Sequence, residues 1–429
     1  MRQLIKNGRV IDPANRLDKI CDILIEDDTI VKIGDNLSAE DAAVIDAAEK
    51  IVAPGFIDMH VHLREPGQEA KEDFASGSRA AAAGGYTTVA AMPNTSPVVD
   101  NAALVRSLQK RADDVSLVHI EIIGALTKGQ CGEELAELGD MAKAGAVAFS
   151  DDGHYVERAK VLLSGLDYLR AFDKIIINHD EDTSLIEEGC MNEGRRSAML
   201  GVKGRPTVAE DIAVDRDIRL AEYADARVHV AHISSARAVE IVRQAKKRGV
   251  RVSAEVTPHH LTLTEDCVDL SNSATKVNPP LRRQSDVDAM LEGLKDGTID
   301  AIVTDHSPHA EEEKDVEYCL APSGFPGLET AVGVLLTELY HSGKLDLDTL
   351  ISKLTVEPAR LLGLDAGTLA AGSRADIVIL DPEREWTVDE RAFYTRGTHS
   401  PFAGRRLKGR AVLTMVDGKV VMRDGKIIE

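Results

Sequence analysis

The sequence predicts an α/β fold: a closed (β/α)8, TIM-like barrel carrying a small β-sandwich domain built from both chain termini. Three observations predict it. Eight short apolar runs recur between residues 55 and 365, and the segments between them have helical periodicity. No Gly-rich phosphate turn follows the first run, which argues against an open doubly wound sheet. The two ends of the chain also read alike, as short strands joined by turns.

Taken in chain order, residues 22–34 alternate and turn at Asp27-Asp28. Near the other end, a strand at 375–380 precedes a run over 411–422 that turns at Asp417-Gly418, and Asp-Gly between β-rich runs is a strong hairpin signal. Termini usually lie close together. Residues 1–54 and 366–429 are therefore expected to form one composite β-sandwich domain, and residues 55–365 the barrel. The barrel strands are read at 56–62, 87–93, 118–123, 146–150, 174–179, 227–232, 251–256 and 300–305, with helices such as 236–248 and 285–294 between them. Alternation of this kind implies right-handed βαβ units and a parallel sheet.

Composition narrows the function. Hydrophobic residues at 43% and charged residues at 29% exclude a disordered, collagenous or coiled-coil chain. Aromatics at 3% leave the core to Ala, Val, Ile and Leu. A net charge of -21 argues against a nucleic-acid partner. It leaves room for a small anionic substrate, because one Arg or a metal reverses the local field. Five cysteines, Cys21, Cys131, Cys190, Cys267 and Cys319, with no C-x-x-C pair, predict neither a disulfide framework nor a thiolate zinc cluster. The opening MRQLIKNGRVIDP has no apolar signal region, and no stretch approaches the ~20 apolar residues that span a bilayer. A soluble cytoplasmic enzyme with no membrane partner is expected.

Barrel strands end at the active face, so the residues there carry the chemistry. Strand one ends His60-Val61-His62, and alternation puts both imidazoles on one face. Strand four ends Asp151-Asp152, strand five in His179, strand six in His232 and strand eight in Asp305. Imidazole and carboxylate are ligands for zinc and similar divalent ions. Six such ligands exceed what one tetrahedral zinc takes, which favours two metals sharing a carboxylate. Asp151 and Asp152 point to opposite faces, and spacing alone does not choose between them. Mid-strand His119 and His229 are read as hydrogen-bonded structural residues. The pair His259-His260 after strand seven is left out of the site.

The motifs together resemble the amidohydrolase superfamily and, within it, the dihydroorotase family of class I type. They are Asp58-Met59-His60-Val61-His62-Leu63-Arg64-Glu65-Pro66-Gly67, Gly84-Gly85-Tyr86-Thr87-Thr88 and Met92-Pro93-Asn94-Thr95, then Asp151-Asp152-Gly153, Asn278-Pro279-Pro280-Leu281-Arg282 and Thr304-Asp305-His306-Ser307-Pro308-His309. The resemblance covers nearly the whole chain. It implies a metal-dependent hydrolase that closes N-carbamoyl-L-aspartate to L-dihydroorotate, reversibly and with loss of water, in de novo pyrimidine biosynthesis. It implies two divalent ions, zinc foremost, with a hydroxide between them as nucleophile. His60, His62 and Asp305 would hold one ion, His179 and His232 the other, and Asp152 both. Asp305 would also be the general acid and base. His62, Arg64, Asn94, Asn278, His309 and the backbone at Ser323-Gly324 match substrate-binding positions. Phe is commoner in the family where this chain has Ser323, which leaves a backbone hydrogen bond but not an apolar contact. A homo-oligomer, and a complex with aspartate transcarbamoylase, are compatible with the resemblance.

Two rival readings differ in testable residues. Hydantoinases, dihydropyrimidinases and allantoinases share the resemblance in fold but typically bridge their metals with a modified lysine on strand four. Here residues 146–152 hold none, and Lys143 precedes the strand. A purely structural subunit scaffolding the transcarbamoylase would have lost metal ligands, whereas all six positions are filled. Arg64 could alternatively brace its loop against Glu65 or Asp73. The loop at 310–320 is rich in Glu and lies beside His309.

Overall fold

The computed structural model describes residues 1–428. Each of the eight apolar runs forms a strand: Phe56–Val61, Tyr86–Ala91, His119–Gly124, Ala148–Ser150, Ile175–Asn178, Val228–Val230, Val252–Val256 and Ala301–Ile302. They pair in sequence order and in parallel. A parallel bridge between Val61 and His306 brings the last strand back to the first. These strands are buried on both faces, which is why they read as near-continuous apolar runs. Among their polar residues, Asp58, His60, His229 and Glu255 are fully buried.

The intervening helices start where the sequence offers caps. Ser235 accepts hydrogen bonds from the backbone N–H groups of Arg237 and Ala238 at the head of Ala236–Lys247. Asp73 and Ser76 form a reciprocal capping box at the head of Phe74–Gly84. With few aromatics available, the barrel core is Ala, Val, Ile and Leu around a handful of rings such as Phe56, Phe74, Tyr86 and Phe149.

Nine strands from the two ends form a separate sheet. Ile51–Pro54, the strand that leads into the barrel, pairs antiparallel with Ile377–Thr387, so Val52 faces Ile379. Ile23 and Ile25 near one end of the sheet share a buried cluster with Leu413 and Met415 near the other. The sheet thus folds over a core of its own, as a sandwich does. Gly418 holds φ of 70°, and a Cβ there would lie 1.8 Å from the Asp27 carbonyl oxygen. Glycine is therefore required where the turns of the two terminal hairpins abut.

One cysteine expectation needs correction. Cys190 and Cys319 form a disulfide, Cα atoms 5.2 Å apart, across 129 residues of sequence. Cys190 follows the fifth strand and Cys319 lies in the loop after the eighth, so the fold brings together two loops that an odd count and spacing could not pair. No helix among the described residues is long and apolar enough to cross a membrane.

Candidate active site

The strand ends converge on a cavity of about 230 Å³. The Asp152 carboxylate lies at its centre: Oδ1 is 3.5 Å from His60 Nε2, 3.6 Å from His179 Nδ1 and 3.4 Å from His232 Nε2. Its Oδ2 is 3.4 Å from His62 Nε2. Asp305 Oδ1 lies 3.2 Å from His62 Nε2 and 3.7 Å from His60 Nε2. All six side chains are buried. Asp151 turns the other way, accepting hydrogen bonds from the backbone N–H groups of Leu126 (2.9 Å) and Thr127 (3.0 Å) and from the Thr127 hydroxyl.

Backbone geometry helps aim these groups. His232 and Asp305 adopt φ of 29° and 49°, the left-handed region that bulky residues rarely enter. Such conformations persist where surrounding structure enforces them, and they cluster at functional sites. His60 is fixed from behind: its Nδ1 lies 2.6 Å from Glu255 Oε1, and Glu255 Oε2 lies 3.0 Å from His229 Nε2. His62 Nδ1 contacts Asn94 Oδ1 at 2.9 Å. Asn278 Nδ2 lies 2.9 Å from His179 Nε2, and donates to Glu181 Oε2 at 3.1 Å.

The donor set fits a metal centre. His60 Nε2 and Asp152 Oδ1 are buried without a hydrogen-bond partner. Native proteins ordinarily leave few such atoms orphaned, and a cation would satisfy groups of this kind. His60, His62 and Asp305, and separately His60, Asp152 and His232, each bring three donor atoms within 4.8 Å of one another. Burial disfavours charge here, but the carboxylates and imidazoles override it. Asp152 and Glu255 hold His60 well above the usual histidine range, and His60 in turn holds Asp152 far below the usual carboxylate range. Asp305 is likewise held down by His62 and His60 against burial.

One flank of the cavity carries a guanidinium. Arg64 is 8% exposed, donates from Nε to the Pro308 carbonyl at 3.2 Å and lies 3.4 Å from His309 Nε2. Burial pushes its guanidinium down to about 10. The carboxylates it could have braced are taken: Glu65 pairs with Arg111 at 2.8 Å, and Asp73 with Arg396. Arg64 forms no ion pair among the described residues. His309 Nε2 meets the Ser323 carbonyl at 2.9 Å, and burial, with Arg64 nearby, lowers its ring to about 3, so it is neutral and donates. Gly324 keeps φ of 115°; a Cβ there would strike Ser307 Cβ at 2.5 Å. Asn94, Asn278, Ser323 and Gly324 line the same cavity.

Some residues escaped the sequence reading. Glu255 carried a signal, a lone carboxylate in an apolar strand. Glu181 and Arg205, joined at 3.0 Å beside Asn278, gave none, because they meet only through the loop after strand five. His229 is the hydrogen-bonded residue it was read to be. His260 is bound to Thr257 and the Pro279 carbonyl, whereas His259 Nε2 has no hydrogen-bond partner.

Comparison with known proteins places the chain in a family. A family model described as Dihydro-orotase-like matches residues 49–238, and an Amidohydrolase family model matches 322–422. The chain is 51% identical over 423 residues to a dihydroorotase of Syntrophotalea carbinolica, covering 99% of each. It is 52% identical over 424 residues to that of Pelotomaculum thermopropionicum, again covering 99% of each. Among solved structures, L-hydantoinase from Arthrobacter aurescens superposes with a TM-score of 0.91 at 29% identity, covering 100% of this chain and 98% of that one. Dihydropyrimidinase from Brevibacillus agri gives 0.87 at 25% identity, covering 100% and 96%. Identity near one half, sustained from end to end, means that the chain belongs to the dihydroorotase family of the amidohydrolases.

Proposed function

We propose that this protein catalyses the reversible cyclisation of N-carbamoyl-L-aspartate to L-dihydroorotate with loss of water. It is a hydrolase of the cyclic amide class, and the step belongs to de novo pyrimidine biosynthesis. The observation that carries the reading is one cavity holding both a metal-type donor set and a buried guanidinium with no protein carboxylate.

On this reading His60, His62 and Asp305 would hold one divalent ion, His179 and His232 would hold a second, and Asp152 would serve both, with zinc the best match to the donors. Bound there, the ions supply Lewis acidity, which polarises the amide carbonyl and makes water a competent nucleophile near neutral pH. Asp305, kept ionised by His60 and His62, is poised to accept a proton. In hydrolysis it takes the proton of the attacking water and passes it to the ring nitrogen, which leaves only when protonated. In cyclisation it removes a ureido proton and delivers it to the departing oxygen. Arg64 binds the ring carboxylate, with Asn94 and His309 beside it. Asn278 and the Gly324 backbone close over the ring. Arg64 also answers the charge problem, since an anion must enter a protein of net charge -21.

A hydantoinase or dihydropyrimidinase activity is the second reading, favoured by the structural neighbours. Against it, no lysine lines the cavity among the described residues, and Lys143 is exposed beside Asp140. The reading further places the enzyme in the cytoplasm as a homo-oligomer able to associate with aspartate transcarbamoylase.

The test is a metal analysis of the protein purified alone, paired with assays of dihydroorotate hydrolysis and carbamoyl-aspartate cyclisation. Turnover in both directions, lost on chelation and restored by zinc, is expected. Bound metal with turnover of hydantoin but not of dihydroorotate would favour the second reading.

A further inference from the structure

We propose a further, non-catalytic site for a divalent cation, formed by His119, Asp376 and Asp417 at the opposite end of the barrel. His119 opens the third barrel strand at its N-terminal end, whereas the catalytic donors lie at the C-terminal ends of the strands. Asp376 immediately precedes the terminal-sheet strand Ile377–Thr387, and Asp417 occupies the turn between Arg406–Val416 and Lys419–Arg423. The three side chains therefore come from both parts of the fold.

Their spacing suits coordination. His119 Nε2 lies 3.2 Å from Asp376 Oδ2 and 3.6 Å from Asp417 Oδ1, and one donor from each residue falls within 4.8 Å of the others. Ligands about 2.0–2.1 Å from a tetrahedral zinc stand roughly 3.3 Å from one another. Within the candidate catalytic centre, Asp152 and His60, His62 and His232 stand at 3.4–3.5 Å.

Asp376 is the most buried of the three carboxylate and imidazole side chains. Its side chain is 9% exposed; its Oδ1 accepts the Asp417 N–H at 2.9 Å and lies 3.4 Å from His119 Nε2. Its Oδ2 is buried, accepts no hydrogen bond and faces the histidine. A carboxylate oxygen left so is costly, and a cation would satisfy it. Arg374 Nε approaches the same oxygen at 3.5 Å and competes for it from a half-exposed position.

One imidazole and two carboxylates, with further positions open to solvent beside the partly exposed Asp417, suit zinc, cobalt or manganese. Calcium, which takes six to eight oxygens, is a poor match. A cation held here would clamp the terminal sheet to the barrel, and would stabilise the protein without touching turnover.

The test compares the wild-type holoenzyme with His119→Ala and Asp417→Asn, each dialysed against the same free zinc. Asn tolerates the left-handed turn conformation that Asp417 adopts. Each variant is expected to carry one zinc fewer per chain than the wild type, with turnover unchanged. The thermal midpoint of the wild type should rise with zinc added beyond saturation of activity, and those of the variants should not. If His119→Ala fails to fold, Asp417→Asn decides alone. Equal zinc content and equal thermal response in wild type and variants would overturn the proposal and leave the three side chains as an ion-paired cluster.

Discussion

His60 Nδ1 sits 2.6 Å from Glu255 Oε1, both side chains fully buried inside the barrel. The carboxylate accepts, so Nδ1 carries the proton, and Nε2 is left as the face presented to Asp152. A carboxylate behind a histidine in this way fixes the tautomer and ring orientation and raises ligand basicity. Glu255 also binds His229, so it cannot swing away without breaking a second contact.

Glu255→Gln should accordingly weaken metal binding by about 10–100-fold. Chelator competition on the purified variant measures this, and zinc added at saturation should recover much of the turnover. Unchanged metal affinity would reduce Glu255 to a core residue.

Asp305→Asn should leave the fold and much of the metal in place but remove most turnover. General acid–base groups typically contribute about 10²–10⁴-fold. A variant with normal metal content and near wild-type rate would contradict the assignment.

The neighbouring aspartates should separate cleanly. Asp152→Ala removes the carboxylate among four histidines and should deplete both metals. Asp151→Ala should retain metal yet lose stability, because the N–H groups of Leu126 and Thr127 lose their acceptor. Each buried donor left unpaired costs about 1–3 kcal/mol. Metal content and thermal midpoint of both variants check this, and greater metal loss in Asp151→Ala would reverse the two roles.

Outside the cavity lining, burial pushes Glu329 up to about 8, against the hydrogen bonds it accepts from the Thr395 and Tyr394 N–H groups. A carboxyl raised in the folded state favours folding most below its ordinary pKa. That advantage is lost as pH rises towards 8, at about 1.4 kcal/mol per pH unit. Glu329→Gln keeps an acceptor for both N–H groups without ionising. It should therefore gain stability relative to the wild type between pH 5 and pH 9. Thermal midpoints that move in parallel over this range would contradict the shift.

Much of the fold and candidate site was legible because it rests on local pattern. Period-two alternation placed His60 and His62 on one face, and the apolar runs marked all eight strands. What escaped depends on chain segments remote in sequence. Glu181 meets Arg205 and Asn278 only once the loop after strand five has folded back. Cys190 meets Cys319 for the same reason. His119 read as an ordinary polar residue because its two carboxylates lie some 250 to 300 residues away in the chain.

If Arg64 selects a ring bearing a carboxylate, kcat/KM for dihydroorotate and dihydrouracil in wild type and Arg64→Met will show it. Hydrogen bonds to charged groups are worth about 1.5–3 kcal/mol each, so losing a two-pronged contact should cost about a hundredfold or more. Dihydrouracil is expected to be a very poor substrate for the wild type. Arg64→Met is expected to cut the dihydroorotate value strongly while barely changing the residual rate on dihydrouracil. Comparable wild-type rates on the two rings, or a proportional fall on both in the variant, would contradict it.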